Sequence, residues 1–404
     1  MPDSREESLV LRKAAEVLKE AENLVQYLRE KELPEPNFSP SSPPHPADND
    51  YDTIRINLTE AAQDLILLAK GPMQWLRTFM CSIHDLGAWQ TALRFKYFSI
   101  LPLDQSMSVK DIAAEAKMDE DRLGRVMKLL ASQHCFREVE EDVYQHTSLS
   151  AFIAQNKDIE AIVAFQLDEM FEAASLTAQS IERAPYTSDS AHTAFTLRFG
   201  THPYKWYMAN PERGARFASA MAGLAQSKST LSQFPDLEFI VQDINPRMLE
   251  EGPKQPGFES VEKRVSFMQY DFLQPQPIIG AVLFFLRQVI HNYPDDICVR
   301  ILKSLASAME KCPPGTILLI NDMVMPEANT EPKVEEHHLR QIDMAMLNGY
   351  AAKQRSLKEF AQLLKLADKR FEVVKLHGKG VMGLLEVQLI HSGVGIMTVA
   401  LGRR

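Results

Sequence analysis

LFFLRQVIHNYPDDICVRILKSLASAMEKCPPGTILLINDMVMPE, residues 283–327, decides how the second half of the chain folds. One apolar run, AVLFFL (281–286), leads into it and another, TILLIND (316–322), lies near its end. Between them a helical stretch starts at Pro294, Asp295 and Asp296, acidic where a helix N-terminus favours negative charge, and runs through ICVRILKSLASAMEK. Two short apolar strands joined by a helix make a parallel crossover, and the pattern extends both ways. Upstream lie LEFIVQD (237–243) and VSFMQYD (265–271); downstream lie a helix, SLKEFAQLLKLA, and a strand, GLLEVQLI. The expected fold is a doubly wound α/β domain.

Toward the N-terminus the period changes to that of helices. Residues 151–233 read as helical through FQLDEMFEAASLTAQSIER and PERGARFASAMAGLAQ. Before them, Ser108 caps one short helix, Asp119 caps a second, and Cys135–His146 alternates as a two-stranded wing, a winged-helix pattern. Its candidate recognition helix, DEDRLGRVMKLLASQ, balances acids against bases and the wing is acidic, so the module reads as a packing or dimerising unit and not as a reader of DNA. Residues 51–100 are helical and carry Trp75, Leu76, Phe79, Trp89, Leu93, Phe95 and Phe98 on too many faces for a lone solvated helix. Residues 5–33 form an amphipathic helix, and PEPNFSPSSPPHP (34–46) reads as an extended linker. The expected organisation is 1–34 N-terminal helix, 35–50 linker, 51–203 helical dimerisation and winged-helix region, and 204–404 α/β domain.

Composition narrows the function. Of 404 residues 45% are hydrophobic, and 54 acids against 44 bases give a net charge of −10, which argues against nucleic acid or an anionic membrane as partner and leaves small neutral or phenolic ligands. The longest apolar run, IIGAVLFFL (278–286), is far short of the ~20 residues that span a bilayer, and no leader pattern opens the chain, so a cytoplasmic protein is expected. Cys81, Cys135, Cys298 and Cys312 lack metal-ligand spacing, and no metal site is expected.

In open parallel sheets the ligand lies outside the carboxyl ends of the strands. Asp243, Asp271 and Asp322 each end a candidate strand and His291 follows the AVLFFL strand, so four polar groups share one rim. Each taken singly also fits a loop residue or helix cap. Together, an acid after the second strand suits the hydroxyls of a ribose, Asp271 with Phe272 offers an acceptor and an aromatic face, and a histidine is the natural base for a hydroxyl.

With these residues in place, the 283–327 segment, the PERGARFASAM helix, the FPDLEFIVQD strand, QIDMAMLNGYAAKQRS and the winged helix, in family order, resemble the fungal S-adenosylmethionine-dependent O-methyltransferases, related to the plant caffeic-acid type. The likeness covers most of the chain, and HNYPDD is its most specific mark. It implies an α/β Rossmann-like methyltransferase domain preceded by an all-α dimerisation region with a winged helix, working as a homodimer on a small aromatic or polyketide-like acceptor. By the same resemblance His291 deprotonates the acceptor hydroxyl beside Asp322, Asp243 holds the donor's ribose, Asp271 and Phe272 contact its adenine, Arg287 joins the donor side, and Asp343 and Met346 line the acceptor pocket. The second acid beside the base falls in a segment like GKERT; here it reads AKQRS, and Gln354 takes its place.

One departure is larger. Family members place a strand and a turn of the form D-x-G-G-G-x-G before the strand that ends in the ribose acid, and the glycines let backbone approach the donor. Here Met221–Phe234 reads MAGLAQSKSTLSQF, too short for a βα unit of roughly 30 residues. The missing strand is the central one, so its loss predicts an incomplete sheet with unpaired backbone. Three readings follow: a sheet closed by shifting, a coding segment lacking from the sequence, or a relative that no longer methylates. The alternatives to methyl transfer are a pericyclase- or isomerase-type enzyme using the same pocket and a pathway partner protein; His291→Ala separates both enzyme readings from the partner.

Overall fold

The computed structural model describes residues 8–224, 237–254, 258–327, 330–378 and 382–390. They fall into two compact units. The first holds residues 1–178, 197–225 and 328–340; the second holds 179–196, 226–327 and 341–404.

The first unit is helical. Helix α1 (Leu9–Glu30) starts at Ser8, whose hydroxyl accepts from the Leu11 N–H, and packs along α2 (Asn49–Arg94) through Leu24, Tyr27, Leu28, Tyr51 and Ile54. The amphipathic helix read from the sequence thus finds its partner inside its own unit. Helix α2 breaks at Gly71 (φ 60°, ψ 174°), a left-handed position that glycine adopts without strain, and Pro72 beyond it has no N–H to continue the ladder. Along the middle of α2, Ile66, Met73, Trp75, Phe79, Met80 and Ile83 lie exposed. The connecting residues 31–48 are non-helical, and Phe38 lays its ring on His134 at 5.0 Å while its carbonyl accepts from the Ser148 N–H.

The winged helix forms as its sequence predicts. Helix α3 (Val109–Ala116) is capped by Ser108 and α4 (Glu120–Ser132) by Asp119, and strands β1 (Met107–Ser108), β2 (Phe136–Glu140) and β3 (Val143–His146) make a sheet in the order β1-β3-β2. Ile112, Leu123, Met127, Leu130, Phe136 and Tyr144 fill its core. Buried His146 bridges Ser150 Oγ and the Leu101 carbonyl, and burial lowers its proton affinity.

Beyond the wing, α5 (Lys157–Phe165) runs into a π-helical turn, Gln166–Met170, which brings Asp168 and Glu169 side by side under α6 (Pro211–Leu224). Asp168 meets Arg213, Arg216 and Arg94 at 2.5, 2.6 and 2.9 Å, and Arg216 also holds Glu169. These pairs, with Phe217 against Phe165, draw α6 into the helical unit, although its sequence follows the 203/204 junction. Burial alone would raise the Asp168 carboxyl; Arg216, Arg213 and Arg94 outweigh it and hold the group down at about 2. Glu169 is raised, since burial there exceeds what Arg216 returns.

The second unit carries the sheets. Strands β4 (Phe239–Asp243) and β5 (Val265–Gln269) pair in parallel as a two-stranded sheet. Strands β6 (Leu283–Arg287) and β7 (Ile317–Met325) pair in parallel in another, crossing over through α7 (Asp295–Met309), as 283–327 predicts. After α8 (Lys333–Tyr350), the two-residue β8 (Arg355–Ser356) pairs with the end of β7, and α9 (Leu357–Ala367) leads to β9 (Phe371–His377) and β10 (Met382–Leu389), antiparallel to each other, with β10 on β7. The order is β6-β7-β10-β9. The strand FEVVKLH of β9 was not read from the sequence: as an edge strand it exposes Glu372, Val374 and Lys375 and lacks a buried run. Ile301, Leu302, Leu305, Leu318, Ile320, Phe360, Leu363, Leu385 and Val387 form the core.

The described residues carry the incomplete ladder expected from the sequence. Among the described residues β4 has no strand partner but β5, and β6 none but β7. The same residues contain no helix long and apolar enough to cross a membrane and no cluster of three metal-ligating side chains.

The Asp168 cluster gives a pH dependence with a definite sign. A carboxyl held at about 2 against an unfolded value near 3.8 contributes stability that is complete above pH ~4 and is lost as pH falls toward 2, about 2 kcal/mol in all. Glu169, raised in the fold, acts in the opposite sense, so the acid limb is best read by denaturant titration in a Glu169→Gln background. Adding Asp168→Asn should flatten it. At neutral pH Arg216→Met takes the close partner from buried Glu169 and one of three from Asp168, and should cost about 3 kcal/mol.

Candidate active site

At the carboxyl end of β6 the chain turns sharply. Gln288 takes a left-handed φ of 52°, held by its N–H on the Asn321 carbonyl and by Asn292 Nδ2 on its own carbonyl. The short turn Ile290–Asn292 then presents His291, whose side chain is 12% exposed, to β7. There fully buried Asp322 takes it twice: Oδ1 lies 2.9 Å from His291 Nδ1, and Oδ2 accepts the His291 main-chain N–H at 3.1 Å. With Nδ1 committed to the carboxylate, Nε2 is the ring nitrogen left to accept a proton.

Opposite Asp322 in the ladder stands Gly383 of β10, where a Cβ would meet Val324 Cγ2 at 2.6 Å and Leu376 Cδ1 at 2.9 Å. That position admits only glycine without displacing the neighbours of Asp322.

The AKQRS segment closes over the turn. The main-chain N–H of buried Gln354 donates to Asp343 Oδ1 at 2.7 Å; its side-chain amide lies 3.4 Å from His291 Nδ1, with Oε1 buried and unpartnered. Where the related families keep a second acid beside the histidine, this chain sets a neutral amide. Arg355, 1% exposed, spans the whole turn: Nη1 donates to the Ile290 carbonyl and Nη2 to the Tyr293 carbonyl, each at 3.0 Å, and the guanidinium pairs with Asp295 at 2.6 Å. Cys298 Sγ lies 3.3 Å from the same two carbonyls, its thiol pushed up to about 11 by burial. Arg355, Gln288, Asn292 and Cys298 were not singled out from the sequence. Nothing in KQRS distinguishes a buried arginine from a solvated one; only β8 beside β7 does.

The other expected residues stand at the ends of β4, β5 and β6 and on α8. Asp243 ends β4, its Oδ1 taken by the Asn245 N–H at 2.7 Å. Asp271 turns the chain after β5, accepting from the Leu273 N–H at 2.9 Å. Phe272 sets its edge on Tyr293 at 5.4 Å. Burial, and next the charges of Asp243, Cys298 and Asp271, push the Tyr293 hydroxyl up. Arg287 ends β6, exposed. Asp343 orients Gln354, and half-buried Met346 accepts the Ala352 N–H through its carbonyl.

Comparisons with known proteins give the family and the fold. Residues 199–369 match the family model of the O-methyltransferase domain, and residues 79–156 that of the O-methyltransferase dimerisation domain. The O-methyltransferase sol2 of Alternaria solani is 37% identical over 403 aligned positions, covering 93% of this chain and 94% of that protein. The chlorophenol O-methyltransferase of Trichoderma longibrachiatum is 26% identical over 408 positions, covering 91% and 86%. Among solved structures, OxaC in complex with SAH and oxaline shares the fold with a TM-score of 0.75 at 21% identity, covering 94% of this chain and 99% of that one. The chain belongs to the fungal S-adenosylmethionine-dependent O-methyltransferases of secondary metabolism, and it is an enzyme of the methyltransferase class.

Losing the Arg355 guanidinium removes the strong donor from two carbonyls that keep the weak Cys298 thiol and takes the close partner from Asp295, so Arg355→Met should lower unfolding stability by about 3 kcal/mol. Arg355→Lys, which keeps the charge but not the fork, should recover only part of that in thermal denaturation.

Proposed function

We propose that this chain methylates a hydroxyl of a small aromatic or polyketide-like metabolite, with His291 as the general base. The observation that carries the reading is the double hold of Asp322 on His291, which fixes the ring through Nδ1 and leaves Nε2 to take the hydroxyl proton. A chlorophenol-methylating relative supports a phenolic acceptor.

The residues on the rim fit the nucleoside end of the donor. Asp243 has one carboxylate oxygen taken by Asn245 and a second for a ribose hydroxyl. Asp271 and Phe272 suit an adenine, and Arg287 stands on the same side. S-adenosylmethionine supplies, when bound, a methyl on a sulfonium sulfur that leaves with the C–S electron pair as the O–CH3 bond forms, with no metal needed. His291 Nε2 receives the proton as the oxygen attacks, and Asp322 stabilises the imidazolium that results. Asp343 and Met346 border the acceptor, Asp343 by holding Gln354 beside the base. A neutral Gln354 leaves His291 with one carboxylate neighbour.

The enzyme acts as a homodimer in this reading: the dimerisation-domain match begins at Phe79, on the α2 stretch where Phe79, Met80 and Ile83 are exposed, and a second copy covers that face. Phe79→Asp with Ile83→Asp should shift the sedimentation coefficient from dimer to monomer.

The test of the chemistry is methyl transfer to a panel of phenols at millimolar donor, followed by mass spectrometry. His291→Ala should lower the rate by about 10²–10⁴-fold with donor binding unchanged. Asp322→Asn should lower kcat by a smaller factor and leave KM near its value. An unchanged rate in His291→Ala would remove the general-base assignment.

A further inference from the structure

We infer that β4 and β6 flank a lane for one parallel strand, and that this strand belongs to a βα unit which relatives carry and the 404-residue chain does not, so that donor affinity in this chain is weak and its acceptor half is intact. The inference rests on the donor reading above.

Three observations support it. First, β4∥β5 and β6∥β7 are each parallel pairs, and among the described residues no ladder joins the two pairs. The pairs are tied from the side: Gln242 of β4 bonds Gln276, and Ser304 of α7 bonds the main chain of Gln274 and Gln276. Second, apolar side chains at the interruption face solvent: Ile240 and Val241 on β4, and Val282 and Phe285 at β6, are 43–62% exposed. Strands inside a parallel sheet are covered on both faces, and a row of unpaired N–H and C=O groups is a template for a further strand. Third, the aligned lengths disagree with the residues taking part. About 376 residues, 93% of 404, align over 403 positions with sol2, so about 27 positions of that relative face nothing here. Against the Trichoderma enzyme, 91% of 404 over 408 positions leaves about 40. A strand, a turn and a helix need roughly that many residues. Residues 225–238, between α6 and β4, contain no glycine and are too few for such a unit.

The lost strand would lie at the switch point of the sheet, where the first βα turn brings its glycines and helix N-terminus to the ligand. Without them the rim keeps its nucleoside side and the His291 base but loses main-chain donors to the charged end of the donor molecule.

The experiment compares the full chain with a variant in which the extra segment of sol2 is inserted ahead of Phe234, using S-adenosylhomocysteine in isothermal titration and amide hydrogen exchange on β4 and β6. The loss of two charge-assisted contacts, about tenfold each, predicts that the inserted variant binds about 100-fold tighter. Its β4 and β6 amides should exchange slowly where those of the unmodified chain exchange fast. Low-micromolar binding by the unmodified chain, or no gain on insertion, overturns the inference. Should the inserted variant not fold, exchange in the unmodified chain decides alone: strong protection along the outer edges of β4 and β6 overturns it, and fast exchange upholds it. Restored binding without methylation of any phenol upholds this inference and counts against the acceptor reading instead.

Discussion

The main-chain ladder of β7 is the constraint on which the second unit depends. Every buried N–H and C=O must find a partner, and β7 spends its groups on β6 along one edge and β10 along the other, with β8 beyond its end. Those pairings fix three things at once. They set Asp322 in the dry interior, they bring the β6 turn with His291 within reach of its two oxygens, and through β8 they carry Arg355 beneath that turn. A carboxylate so fully buried persists because it is doubly hydrogen-bonded, and the base is oriented by the same contacts that hold the strand end.

Buried charge plays the corresponding part in the helical unit. Asp168 and Glu169, adjacent on a π-helical turn, are out of water and held by arginines of α2 and α6. Such a cluster contributes little net stability over an apolar core, but removing one partner is costly because the others remain buried. It fixes which helix joins which unit, a matter that the apolar pattern of α6 leaves open.

The two halves of the site differ in their completeness. On the acceptor side Asp322 holds His291 through Nδ1 and the main chain, and the left-handed Gln288, Asn292 and Arg355 all brace one turn. On the donor side Asp243 and Asp271 serve local turns with part of their hydrogen-bonding capacity, and the ladder beside β4 stops. The family identity is secure although no ladder joins β4 to β6 among the described residues, because the residues that mark the family, HNYPDD foremost, belong to the β6–α7–β7 crossover.

The sequence by itself determined the helix caps at Ser108 and Asp119, the wing, the β6–α7–β7 crossover and the shared rim of Asp243, Asp271, His291 and Asp322, because each follows from local periodicity or from side chains that bond their own backbone. It also showed the shortage of chain before β4, since a βα unit has a minimum length. Only the tertiary structure decided that Asp322 holds both the ring and the main chain of His291, that Arg355 is buried beneath the turn, that β9 is a strand, and that among the described residues no ladder joins β4 to β6. The holds on His291 and by Arg355 join residues 31 to 65 positions apart, and β9 pairs with β10 by register, so the partner of a polar group is set by packing and leaves no local pattern to read.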